Sequence, residues 1–158
     1  MPTAALSSLL AEYGESHQNP TNKLVHWVCV PLIMFSLLGL LWCIPVPYAI
    51  ARLSPWLNWA TLVMLLAVVY YLRLSVPLAI GMVLVSTGIA LLLRGIEQQN
   101  ALPLWALCLI VFVAAWAGQF WGHKVEGKKP SFLKDIQFLL IGPLWLLHFV
   151  YRRLGWAY

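Results

Sequence analysis

Three of the chain's four histidines stand where long apolar segments meet charged loops: His17 and His26 in SHQNPTNKLVH, and His123 in QFWGHKVEGKKP. An ionisable side chain at membrane depth is costly, so its default reading is functional. Neutral imidazole suits iron, zinc, copper and nickel, whereas oxygen-rich sites suit magnesium or calcium. With five acidic residues in 158, nitrogen ligands must dominate a metal site here. Open positions on a His-ligated, non-haem iron would allow oxygen chemistry, and redox-inert zinc fits the same ligand type. Haem held by two histidines is the weaker reading, because no CxxCH attachment motif is present. His148 lies in an aromatic, apolar context and stays outside the core ligand set.

Polar neighbours accompany these histidines at helical spacing. Asn19-Pro20 reads as an N-cap followed by proline at the first helical position, which puts Asn22 and His26 on one face, four residues apart. Gln119, His123 and Glu126 share a face likewise, provided that their helix continues past Gly122. For Glu126 three roles are open: ligand, acid/base, or orienting group for a histidine. The bland alternative is a solvated charge among Lys124, Lys128 and Lys129. A single interfacial histidine is ordinarily structural; three that converge from separate segments favour a metal.

The elements that must position these groups are membrane helices. The chain is 62% hydrophobic with 9% charged residues and a mean hydropathy of +0.83, where a soluble domain carries about 25% charge. The expected architecture is an all-α integral membrane protein in one domain, residues 1–158: a bundle of four transmembrane helices plus a fifth, short, re-entrant helix. An amphipathic segment at 3–13 precedes apolar segments at about 25–44, 53–72, 74–93, 102–121 and 136–151. The second and third are separated only by Arg73 and form an antiparallel hairpin, and Gly142-Pro143 interrupts the fifth. Gly39, Gly81, Gly88 and Gly118 are expected at close helix contacts. Cys29, Cys43 and Cys108 lack CxxC spacing and indicate neither disulfides nor a cysteine zinc site. No signal-peptide pattern opens the chain.

Charge sets the expected orientation. If the first four segments span, Lys23, Arg73, Lys124, Lys128, Lys129 and Lys134 share one side against Arg52 and Arg94, which places the N-terminus in the cytoplasm. A fifth segment that dips in and returns adds Arg152 and Arg153 to the basic side. The basic residues are dispersed over loops, so the net charge of +5 does not indicate nucleic acid. The expected location is a multi-pass membrane site, the inner membrane in a bacterium or the endoplasmic reticulum in a eukaryote. Protein partners are not legible.

At HQNPTNKLVHWVCVPL and GHKVEGKKPSF, followed by LLIGPLWLL, the chain resembles the membrane 2-hydroxy fatty acid dioxygenase family over nearly its full length. The resemblance implies an Fe(II)-dependent enzyme of fatty acid α-oxidation that converts a 2-hydroxy fatty acid and O2 into the acid one carbon shorter plus CO2, and the expected partners are that substrate, O2 and membrane lipid. It maps the metal ligands to His17, His26 and His123. The inferred mechanism gives catalytic roles to Glu126 and Asn22 and substrate contacts to Lys23, Lys124 and Gln119. A non-catalytic membrane scaffold and a metal or small-solute transporter are the rival classes. A transporter would place polar residues along its whole path, and the middles of the second and third segments hold no strong ligands.

Overall fold

The computed structural model describes residues 3–99, 102–129 and 137–158. Among these residues every regular element is helical. The order is α1 (Ala4–Glu15), α2 (Pro20–Trp42), α3 (Tyr48–Ala51), α4 (Trp59–Leu74), α5 (Val76–Gln99), α6 (Leu104–Glu126) and α7 (Gln137–Arg153). Three of them, α2, α5 and α6, are long and apolar enough to cross a membrane. The protein is an all-helical membrane protein.

The cap read at Asn19-Pro20 is present: the Asn19 side chain accepts the Thr21 N–H at 2.8 Å, with Pro20 opening α2. The helix therefore begins five residues before the apolar run. At its partner, α6 continues past Gly122 to Glu126 and stops at Gly127, whose φ of 74° is the left-handed conformation that glycine adopts at helix ends. α2 and α6 pack antiparallel in one constant register. Cβ atoms built at Gly118 and Gly122 would collide with Cys29 Sγ and Asn22 Oδ1 of α2, and one at Gly39 with Cys108 of α6. In lipid, where apolar burial drives nothing, such close backbone approach supplies the dispersion contacts that hold helices together. Gly81 plays the same part against Tyr151 and Leu147, but nothing lies within 4 Å of a Cβ at Gly88. That glycine is not a packing position.

The hairpin expected around Arg73 is formed by α4 and α5, with the break at Ser75, whose N–H bonds Tyr71 O and whose hydroxyl caps Leu78 N. α4 is shorter than its apolar run. Asn58 and Thr61 close a reciprocal capping box, and Pro55 precedes it, so residues 53–58 turn rather than span. The sixteen residues of α4 rise about 24 Å, less than the roughly 30 Å of a bilayer core.

The amphipathic start is α1, capped by Thr3, whose hydroxyl also donates to Leu74 O at 3.1 Å. It lies on α7, with Leu6 and Tyr13 buried against Phe138, Ile141 and Trp145. Gly142-Pro143 does not interrupt the fifth apolar segment: α7 runs unbroken through Pro143. Gly142 instead makes room for α1, since a Cβ there would stand 2.9 Å from Tyr13 Oη.

Candidate metal centre

His17 leaves the end of α1, His26 sits two turns into α2, and His123 closes α6. Their exposures are 1%, 1% and 4%. One ligand nitrogen from each lies within 4.8 Å of the other two. The ring centroids of His123 are 5.0 Å from both partners.

The hydrogen bonds define what these rings offer. His17 Nδ1 faces the carbonyl oxygen of Tyr13, and His26 Nδ1 faces that of Asn22 at 3.0 Å, each four residues back along its own segment. A carbonyl oxygen only accepts, so Nδ1 carries the proton in both rings and Nε2 is left as a bare lone pair. Those two Nε2 atoms stand 2.7 Å apart. Two lone pairs at that distance repel unless a cation lies with them. Backbone carbonyls on the remote nitrogen are the usual way of fixing the tautomer of a metal-bound histidine. His123 adds a buried Nδ1 with no hydrogen-bond partner among the described residues. Burial also pushes the His17 pKa down from 6.5 to about 4, so its ring is neutral at pH 7. Three neutral imidazoles, two with lone pairs aimed at one point, fit a divalent iron, zinc, copper or nickel ion.

Around the triad the other sequence-nominated residues divide. Glu126 holds the loop before α2: Oε1 accepts Gln18 N–H at 2.9 Å, and Oε2 accepts Asn19 N–H at 2.8 Å and Asn22 Nδ2 at 3.2 Å. Its carboxylate is thus engaged in joining the two ligand-bearing segments. Asn22, fully buried, donates to Glu126 and to Ser16 O, while its backbone carbonyl orients His26. Gln119, one turn before His123, lines the cavity described below, and its Oε1 has no partner among the described residues. Lys23 and Lys124 do not line it: Lys23 faces a cleft between α2 and α7, and Lys124 is exposed. His148 is buried on α7, bonded through Nδ1 to Trp145 O, and is not part of the cluster.

Tyr13 and Trp145 are neighbours that the motifs did not single out. Tyr13 stacks on His17 with ring centroids 4.3 Å apart and 12° between planes, and Trp145 lies 5.3 Å from the same ring. The legible signal was the Tyr13 to His17 spacing of four, which is one helical turn.

A cavity with an empty volume of about 900 Å3, its open mouth included, begins at Tyr13, His26, Gln119 and His123. It continues along α2 past Val30, Met34 and Leu38 and is closed on its other sides by α4 and α7 residues such as Met64 and Phe138. From His26 to Leu38 is about 18 Å of helix. Apart from that head the lining is apolar except for Ser86, the Trp116 indole N–H and the Tyr71 hydroxyl, which is bonded to Leu140 O. The chamber is thus mostly apolar, with His26, His123 and Gln119 at its head.

The class so defined is an all-helical membrane protein whose buried histidine cluster heads a largely apolar chamber. Residues 3–154 match the family described as 2-hydroxy-palmitic acid dioxygenase Mpo1-like, and the chain belongs to that family. It is 28% identical to the 2-hydroxy-palmitic acid dioxygenase MPO1 of Saccharomyces cerevisiae over 153 residues, which cover 95% of this chain and 82% of the yeast protein. No solved structure matches the chain.

Proposed function

We propose that the protein is an Fe(II)-dependent dioxygenase that cleaves 2-hydroxy fatty acids to the acid one carbon shorter. The observation that carries this reading is the paired Nε2 lone pairs of His17 and His26, 2.7 Å apart beside His123 at the head of an apolar chamber. Family membership adds the substrate class. His17, His26 and His123 would hold the ion, which when bound supplies one-electron chemistry with O2 that no side chain of this protein can provide. The chain's own residues do the rest. Gln119 Oε1 accepts a hydrogen bond from the 2-hydroxyl, the chamber takes the alkyl tail, and Tyr13 and Trp145 wall the centre from water. Glu126 acts by positioning, since its oxygens are occupied by the α2 loop.

The reaction balances without an outside reductant: R–CH(OH)–COOH + O2 gives R–COOH + CO2 + H2O. Protein purified under anaerobic conditions and loaded with Fe(II) should consume one O2 per shortened acid formed from detergent-dispersed 2-hydroxy acid. Stoichiometric demand for NADPH, or a product of unchanged carbon number, refutes the proposal. A transporter reading is disfavoured because the one histidine cluster among the described residues heads the chamber and no further candidate metal ligand lines it.

A further inference from the structure

A second cleft opens between the first turns of α2 and the last turns of α7. Lys23, Arg152 and Arg153 line it together with Trp27, Trp145 and Val150. Among the described residues no acidic side chain lines it, and the one ion pair, Arg94–Glu97, involves none of its three cations. Three uncompensated cations in one recess over an apolar floor select an anion with an apolar body. Trp27 (43% exposed) and Leu154 (53%) line it at the outer surface, and an exposed tryptophan beside basic residues is the side-chain composition of a membrane interface. The helix dipole at the end of α7 accounts for a preference for cations there, but it does not account for Lys23, which comes from the opposite end of another helix.

The cleft is separate from the acyl chamber. The two share no lining residue, and Trp145 stands between the cleft and His17. A molecule held in the cleft is therefore not one with its head group at the histidines. We propose that the cleft is a binding site for the phosphodiester head group of an anionic phospholipid, held by Arg152, Arg153 and Lys23 with its glycerol and upper acyl carbons against Trp27 and Val150. Arginine forks and a lysine ammonium match phosphate oxygens, and basic recesses between membrane helices commonly hold acidic head groups.

The site is read by binding, without turnover. Delipidated protein reloaded with equimolar phosphatidylglycerol and phosphatidylcholine of identical acyl chains is released from detergent and weighed by native mass spectrometry. Wild type should retain phosphatidylglycerol preferentially. Each of Lys23→Gln, Arg152→Gln and Arg153→Gln should reduce the preference about fivefold, the attraction of one surface cation for an anionic membrane. Arg52→Gln, elsewhere on the chain, should leave it unchanged, and an Arg152→Lys/Arg153→Lys variant should keep most of it. The combined Lys23→Gln/Arg152→Gln/Arg153→Gln variant should lose the preference, and the single variants carry the test if that triple variant does not purify. Equal retention of the two lipids by wild type, or a preference that survives all three glutamine substitutions, overturns the proposal. So does displacement by millimolar inorganic phosphate, which marks a simple anion site, or one-for-one displacement by a 2-hydroxy fatty acid, which marks a substrate site.

Discussion

The carboxylate of Glu126, in the last turn of α6, accepts the backbone N–H of Asn19, the residue that caps α2, at 2.8 Å. With the Gln18 N–H on its other oxygen, this bond ties the loop carrying His17 to the helix carrying His123 across more than 100 residues of sequence. Glu126→Ala should therefore lower iron affinity about 10–100-fold, the usual cost of losing a group that orients metal ligands, and Glu126→Gln, which cannot accept both backbone donors equally well, should fall between. Iron titration measures this. Unchanged iron affinity with a collapsed kcat would instead make Glu126 an acid/base.

Replacing His17, His26 or His123 by Ala should abolish stoichiometric iron binding in anaerobically prepared protein, while His148→Ala should retain it, because His148 lies apart from the cluster with its Nδ1 bonded to Trp145 O. Metal analysis decides both halves. Full iron occupancy in any triad variant removes that histidine from the ligand set.

Acid should destabilise the metal-free protein through His17. Its pKa is about 4 in the fold against about 6.5 unfolded, so between these values the unfolded chain binds the extra proton and stability falls as pH drops. Above about pH 6.5 this group contributes no pH dependence. The loss is on the order of a few kcal/mol over the window. Thermal unfolding at pH 7.5 and pH 5 should show the drop in wild type and a smaller one in His17→Gln.

Much of this arrangement was legible because it is local. The Asn19-Pro20 cap, the helical spacing of Asn22 with His26 and of Gln119 with His123, and the α4–α5 hairpin follow from short-range rules and are formed as read. Hydropathy failed where polar backbone contacts decide the outcome. It could not see that Asn58 and Thr61 would start α4 six residues late, or that Gly142-Pro143 would sit within an unbroken helix to admit Tyr13. Nor does composition separate a packing glycine from a lipid-facing one. Lys23 lay next to the ligands in sequence, yet the turn of α2 carries it to the cleft on the far side of Trp145.

The glycines of the α2–α6 seam can be tested against that distinction. A methyl at Gly122 would stand 2.6 Å from Asn22 Oδ1 and 3.1 Å from Val25 Cγ1, both on α2. Gly122→Ala should cost about 1–3 kcal/mol, as overpacking does, and weaken iron binding by displacing the segment that orients His26. Gly88→Ala, with nothing within 4 Å, should be neutral or slightly stabilising. Equal thermal stability of the two variants would show that the seam is not closely packed.

The chamber should act as a ruler for the alkyl chain. Ala67 lies on its α4 wall, one helical turn from Met64 and outside the histidine cluster. Ala67→Phe fills the path there without touching a ligand, so iron content should stay at the wild-type level while a long-chain 2-hydroxy acid loses the burial of its terminal carbons. At about 0.8 kcal/mol per methylene, exclusion of three or four methylenes costs on the order of 3 kcal/mol, or roughly a hundredfold in kcat/KM. Shorter 2-hydroxy acids, whose tails end above the obstruction, should be turned over as by wild type. The comparison is a chain-length series assayed on both proteins at matched iron content. A uniform loss across all lengths would mean that the substituted side chain disturbs the centre, and an unchanged profile would mean that the alkyl chain does not run down this chamber.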